Sequence, residues 1–153
     1  MSDQSMIDST FQVLTGKEGW GLTRTHGSMF FLEIGQPLPR GKEKKVHGEW
    51  HFLVEMCHWR IETQNSVLAG SDDEQELIDD VFANLQLGYV ESVTALSPSH
   101  DLELAFSSGV RLRTFTTSSG AKEQWKQWQL YCPDDNVWIA DASGGLAQRN
   151  AYV

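Results

Sequence analysis

Four side chains that could do chemistry crowd into one segment of the sequence: His51, Glu55, Cys57 and His58. Imidazole and thiolate groups bind zinc and iron, and a buried carboxylate can act as a general base. The segment alternates like a β-strand, so Cys57 and His58 point to opposite faces, and His51 lies about 20 Å from Cys57 at ~3.3 Å per residue. This spacing predicts that the segment alone binds no metal.

A metal site in this region would need ligands from another strand. The other histidines of the chain lie near expected turns: His26, His47 and His100. The sequence therefore predicts neither a metal nor another cofactor, and it favours a structural role for His58. Glu55 lies between Leu53 and Cys57 on an apolar face, so its carboxylate must be paired, hydrated or shifted in pKa. A salt bridge or a rim position is the simpler interpretation of Glu55, and a catalytic base is the alternative.

No motif in the chain identifies a reaction. The glycines of residues 16–21 lack the spacing of a phosphate-binding loop, and no Gly-x-Ser-x-Gly elbow is present. We therefore favour a protein that is not an enzyme.

The clearest structural pattern is the alternation of apolar and polar residues over 101–115. A three-residue loop that ends at Gly109, with this glycine in the left-handed conformation, places Leu104 opposite Leu112 and Glu103 opposite Arg113. Every apolar pair then falls on one face. The pattern predicts an antiparallel hairpin.

Residues 50–61 are apolar on both faces, which predicts one long central strand that is covered on both sides. A helix over 72–87 is predicted to cover it, because Ser71 and Glu74 form a capping box and apolar residues follow at helical spacing. The fold class predicted from these elements is α+β. We expect a twisted antiparallel sheet or partly open barrel of about seven or eight strands, with one helix packed on it.

The length of 153 residues predicts a single domain that spans 1–153. Its ends, at about 1–10 and 143–153, lack sustained periodicity and are expected to be loose. Residues 35–48 contain two prolines and three glycines, which predicts a loop. This loop carries a cluster of basic side chains: Arg40, Lys42, Lys44 and Lys45.

The chain is acidic, with 12 basic and 21 acidic side chains and a formal net charge of −9. Such a charge repels phosphate backbones and anionic lipids, so nucleic acid and membrane are poor partners and a basic protein is a better one. The sequence shows no leader pattern at its start and no apolar run long enough to span a bilayer. We expect a cytoplasmic protein.

A series of motifs extends over most of the chain: Trp59-Arg60-Ile61, Gly70-Ser71, Asp101-Leu-x-Leu-x-Phe106, Trp128-Gln-Leu130, Pro133-Asp134 and Gly144-Gly-Leu146. In this order they resemble a family of small bacterial proteins classed as a domain of unknown function. The resemblance implies an α+β sheet fold and a bacterial source, and it implies no catalytic residue. Members of that family are similar in size and architecture to immunity proteins, which neutralise toxins. The loop at 35–48 and Trp125 depart from the pattern.

These observations predict a non-enzymatic, immunity-like protein that binds a basic protein partner through an acidic helix face: Asp72, Glu76, Asp79 and Asp80. The alternative is a small-molecule-binding or enzymatic barrel with a pocket near Glu55 and His58. A deep pocket that contains either residue beside a perturbed pKa would favour the alternative, and a closed core would favour the protein-binding interpretation.

Overall fold

The computed structural model describes residues 2–40, 45–123 and 125–151. Within these residues the chain forms two helices and eleven strands. The helices are α1 (Asp3–Leu14) and α2 (Gln75–Asn84). The strands are β1 (Glu18–Arg24), β2 (Phe30–Arg40), β3 (Lys45–Val54), β4 (His58–Glu62), β5 (Val67–Gly70), β6 (Gly88–Leu96), β7 (Asp101–Phe106), β8 (Arg111–Phe115), β9 (Lys126–Tyr131), β10 (Asn136–Asp141) and β11 (Leu146–Asn150).

The strands form one antiparallel sheet in the order β11-β10-β9-β3-β2-β1-β6-β7-β8-β4-β5. The sheet is open, with β11 and β5 at its edges. Its two halves meet where β1 pairs with β6, Glu18 with Tyr89 and Gly19 with Gly88. The predicted α+β class and antiparallel sheet are confirmed. The predicted numbers of strands and helices are too small, because the described residues contain eleven strands and two helices.

The two halves of the sheet fold toward each other and enclose the core. The ring centroid of Phe30 on β2 lies 4.9 Å from that of Trp59 on β4, which belongs to the other half. The hydroxyl of Thr114 on β8 donates a hydrogen bond of 3.0 Å to the side-chain oxygen of Gln127 on β9, and both side chains are buried. This bond satisfies two polar groups that would otherwise be costly inside the core.

The predicted hairpin over 101–115 is confirmed. Gly109 has a φ of 89°. Leu104 lies opposite Leu112, and Glu103 lies opposite Arg113. The apolar pair points into the core and the charged pair points away from it, as the alternation requires.

The predicted single strand over 50–61 is wrong in one respect: the chain bends at 55–57. β3 ends at Val54 and pairs with β9, whereas β4 begins at His58 and pairs with β8. The bend changes the phase of the alternation, so Phe52 and Trp59 both point into the core although their separation is odd. It also carries the chain from one half of the sheet to the other.

Helix α2 is shorter at both ends than the predicted 72–87, and the predicted capping box does not form. The hydroxyl oxygen of Ser71 instead accepts the backbone N–H of Trp59 at 3.1 Å. The carboxylate of Asp73 accepts the backbone N–H of Gly70 at 2.8 Å. Both polar side chains therefore stabilise the turn after β5, and Glu74 caps the helix without a side-chain hydrogen bond.

Within the described residues, the segments predicted to be loose, 1–10 and 143–153, contain a helix and a strand, and residues 1, 152 and 153 lie outside the described residues. Helix α1 buries Ile7, Phe11 and Leu14 against the sheet. At the other end, β11 pairs with β10 along its length. These three apolar residues of α1 are spaced by four and then three positions, which is helical spacing. So short a pattern is hard to distinguish from irregular sequence, which is why the helix was not predicted.

The segment 35–48, predicted to be a loop, is mostly strand. β2 and β3 remain paired beyond Ile34, with Pro37 opposite Gly48, and a register shift between Ile34 and Pro37 accommodates the irregularity. Lys45 lies at the exposed start of β3. The side chains of the other basic residues named above lie outside the described residues: Arg40, Lys42 and Lys44.

Candidate functional site

A cavity of about 310 Å³ opens beside the bend between β3 and β4. Residues 55–58 form one wall, and two further segments, 26–29 and 116–118, form others. Trp125 and Ala142 complete the lining. The structure therefore brings Glu55 and His58, the two residues of the predicted pocket, to the same cavity.

Strand β9 holds the bend in position. The backbone N–H groups of Glu55 and Met56 donate to the carbonyls of Gln127 and Lys126, at 2.9 and 3.0 Å. The side-chain amide of Gln129 donates to the carboxylate of Glu55. Glu55 thus lines the cavity and has a hydrogen-bond partner from a neighbouring strand. This amide contact stands in place of the salt bridge that the sequence suggested.

Cys57 lies at the centre of the bend, and burial raises the pKa of its thiol to about 12. The nearby carboxylates of Asp101 and Glu55 add to this rise because they repel a thiolate. The Sγ atom donates to the carbonyl of Gln127 at 3.5 Å. A thiol in this environment stays protonated at neutral pH and is a poor nucleophile and metal ligand.

His58 is fixed by contacts on two sides. Its Nδ1 atom lies 3.3 Å from the hydroxyl oxygen of Ser71 and 3.6 Å from the carboxylate of Asp72. Its ring stacks on that of Phe115, with centroids 6.1 Å apart. These contacts orient the imidazole at the mouth of the cavity, where its side chain is 42% exposed.

The four predicted partner-binding residues divide into different environments. Asp72 precedes α2 and faces His58, whereas the other three lie on the helix. Asp79 is held by Arg24 in an ion pair with contacts of 2.7 and 3.0 Å. Glu76 and Asp80 are exposed. All four residues are exposed, but Asp72 lies beside His58 and Asp79 is paired with Arg24, which leaves Glu76 and Asp80 as the two without an ion-pair contact of this kind among the described residues.

A second group of polar side chains lies on the face of β2 and β3 that points away from the core. Glu33, His47 and His51 each offer a ligand atom, and these atoms all lie within 4.8 Å of one another. Glu33 and His51 are buried, and 23% of the His47 side chain is exposed. Sequence reasoning did not bring these residues together. One signal was available, since Glu33 and His51 lie directly opposite each other once β2 and β3 are paired.

The cavity also contains residues that sequence reasoning missed, among them Met29 and Thr116. They come from turns distant in sequence, and no spacing along the chain indicates that they meet.

No protein-family model, curated protein or solved structure matches this chain. Neither helix of the described residues is long and apolar enough to cross a membrane.

Proposed function

We propose that this protein binds a small molecule in the cavity beside the bend at 55–57, without covalent chemistry. The supporting observation is that Glu55 and His58 line one concave space together with apolar side chains. Its volume of about 310 Å³ is at the lower end of ligand pockets, which span roughly 300–1,000 Å³. The occupant is therefore of fragment size.

The lining favours an apolar or aromatic molecule with a cationic end. Met29, Met56 and Trp125 offer thioether and aromatic surface for the body of the ligand. Glu55 offers a carboxylate for an ammonium group, and a charge-assisted hydrogen bond there would be worth about 1.5–3 kcal/mol. The net charge of −9 also attracts cations.

The thiol of Cys57 favours binding over catalysis. A pKa of about 12 leaves almost no thiolate to attack a ligand at neutral pH. A stable thiol also suits the reducing cytoplasm, which is the compartment we propose for this function.

Three probes of one shape test the charge of the ligand: benzylamine, benzyl alcohol and benzoate. Binding is measured by NMR titration of the backbone amides around residues 55–58. We expect benzylamine to bind most tightly and benzoate least. Glu55→Gln should weaken benzylamine by about tenfold and leave benzyl alcohol nearly unchanged.

Glu91→Gln is the matched control, because Glu91 is an exposed carboxylate on β6 that does not line this cavity. It should leave all three affinities unchanged. If benzylamine shifts no amide near the bend at millimolar concentration, or binds Glu55→Gln as well as it binds the unmodified protein, the proposal fails.

A second proposal is that α2 binds a basic protein, in the manner of an immunity protein. The supporting observation is that α2 presents Glu76 and Asp80 to solvent beside Leu77, whose side chain is 45% exposed. The sequence of α2 contains no basic residue. An apolar side chain among exposed carboxylates suits a partner that is basic and partly apolar.

The test of the second proposal reverses Glu76 and Asp80 to Lys together. The melting temperature should change little, because solvated helix charges contribute only tenths of a kcal/mol each. Association with a basic protein retained from source cells at low ionic strength should slow, and its salt dependence should weaken. Reversal of Asp3 and Asp8, two exposed carboxylates on α1, is the control. Equal effects of the two double variants on the association rate would reject α2 as the interface.

A further inference from the structure

We infer that Glu33, His47 and His51 form a binding site for one divalent transition-metal ion, with zinc as the representative case. The site lies on the face of β2 and β3 that points away from the core, and it shares no residue with the cavity beside the bend. Two imidazoles and one carboxylate are a recurrent ligand set for zinc and for iron(II), with further positions open to water.

A fold in the β2–β3 ribbon brings the three ligands together. His47 lies six residues before Leu53, which pairs with Phe31, so a straight ribbon would separate His47 from Phe31 by about 20 Å at ~3.3 Å per residue. Their ring centroids are 5.0 Å apart. The far part of the ribbon therefore turns back over the outer face of the sheet.

Two glycines permit this turn. Gly35 has a φ of 84°, and its carbonyl accepts the indole N–H of Trp20 at 2.7 Å. At Gly48 a Cβ atom would come within 2.5 Å of the carbonyl oxygen of Ile34, so the two strands approach too closely there for any side chain. The turn places His47 above the pair formed by Glu33 and His51.

The carboxylate of Glu33 is the fixed member of the site. One oxygen accepts the backbone N–H of Gly48 at 2.5 Å, and the other lies 2.7 Å from Nδ1 of His47. A carboxylate oxygen and an imidazole nitrogen that face each other in this way can both bind one metal ion. The hydrogen bond from Gly48 to the other oxygen would then hold the carboxylate in orientation.

The two imidazoles require one rearrangement. The rings of His47 and His51 are stacked, with centroids 4.5 Å apart and planes inclined by 20°. Planes so nearly parallel do not meet at a common metal position within coordination distance, since a metal lies in the plane of each ring that binds it. His51 is buried and also stacked on Tyr131. His47 is the more exposed ring, and we expect it to turn out of the stack when the metal binds.

The donor atoms select the class of metal. Imidazole nitrogens suit zinc, copper, nickel and iron(II), whereas magnesium and calcium prefer sites made entirely of oxygen.

The test uses the full chain, stripped with a chelator and titrated with zinc chloride by isothermal calorimetry. We expect one equivalent to bind. Cobalt(II) should give a visible absorption spectrum of tetrahedral or five-coordinate type, which does not depend on any activity. His47→Ala should lower the zinc affinity by at least about tenfold. Because His47 is partly exposed, this variant should fold, and a thermal melt without metal verifies that it does.

His26→Ala and His58→Ala are the matched controls, because both histidines line the cavity instead. Both variants should bind zinc as the unmodified protein does. The inference is overturned if the stripped protein binds no zinc, if His47→Ala binds it unchanged, or if His58→Ala abolishes binding.

Discussion

Arg24 and Asp79 form a two-point ion pair that ties α2 to β1. Nε of the guanidinium lies 2.7 Å from one carboxylate oxygen, and the terminal nitrogen lies 3.0 Å from the other. The hydrogen bond from Arg24 lowers the pKa of Asp79 below its ordinary value. An ion pair with two parallel hydrogen bonds is stronger than one with a single contact. We therefore expect the carboxylate of Asp79 to stabilise the fold.

Asp79→Asn should therefore lower the melting temperature at neutral pH, because it removes the charge that Arg24 holds. The pKa of Asp79 is lower in the folded state than in the unfolded state, where it is near 3.8. The ionised carboxylate therefore stabilises the folded protein at pH values above 3.8, and this stabilisation is lost as the pH falls through the pKa of the folded state. The difference in melting temperature between the unmodified protein and Asp79→Asn should thus vanish in strong acid. Asp80→Asn, one residue further along α2, should have a smaller effect, and thermal melts over a series of pH values compare them.

Gly109→Val should destabilise the hairpin of β7 and β8 by about 1–3 kcal/mol, since a β-branched residue is strained at positive φ. Nothing lies within 4 Å of a Cβ added at Gly109, so the penalty comes from the backbone alone. Gly109→Asn should cost less, because asparagine adopts the left-handed conformation more readily. Urea unfolding of the two variants measures the difference, and equal stability would contradict the turn assignment.

The parts of the fold that the sequence predicts correctly are those with local causes. The hairpin of β7 and β8 follows from alternation and one glycine within fifteen residues. The bend at 55–57 does not, because its cause is a change of pairing partner: β3 pairs with β9 and β4 pairs with β8. The predicted capping box at Ser71 is wrong for a similar reason, because the Ser71 hydroxyl accepts a hydrogen bond from the backbone N–H of Trp59 on β4.

The two candidate sites depend even more than the fold does on residues that are distant in sequence. Glu55 and His58 are suggested by their type and their apolar surroundings, but the rest of the cavity comes from turns near residues 26–29 and 116–118. The group around Glu33 depends on the ribbon turning back at Gly48, because on a straight strand His47 would share the face of His51 but lie about 13 Å from it at ~3.3 Å per residue. Spacing therefore identifies candidate residues, while strand pairing and strand curvature decide which of them meet.

Cys57 should react slowly with iodoacetamide. A pKa raised from 9.0 to about 12 lowers the thiolate fraction near pH 8 by roughly a thousandfold, and alkylation should slow in proportion. Unfolding in urea should restore the ordinary rate. Mass spectrometry of the intact protein follows the reaction, and Cys57→Ser serves as the control by leaving only the buried Cys132. Alkylation of Cys57 at the unfolded rate would show that the bend is open to solvent.

Gly48→Ala should destabilise the protein by about 1–3 kcal/mol, because the added methyl group would meet backbone atoms that cannot move aside. The nearest atoms would be the carbonyl oxygen and the nitrogen of Ile34, at 2.5 and 2.6 Å. Gly70→Ala is the matched control: its Cβ would lie 3.4 Å from the nearest atom, an ordinary contact, so the change in stability should stay within about 0.5 kcal/mol. Urea unfolding compares the two variants.

The same pair of variants also tests the turn in the ribbon. If β2 and β3 must approach closely at Gly48 for His47 to reach Phe31, Gly48→Ala should shift the imidazole signals of His47 in the NMR spectrum, and Gly70→Ala should not. Ring stacking makes these signals sensitive, because His47 lies against both Phe31 and His51. Equal stability of the two variants, with unchanged His47 signals, would mean that the strands are separated at this point and that the ribbon does not cover the outer face of the sheet.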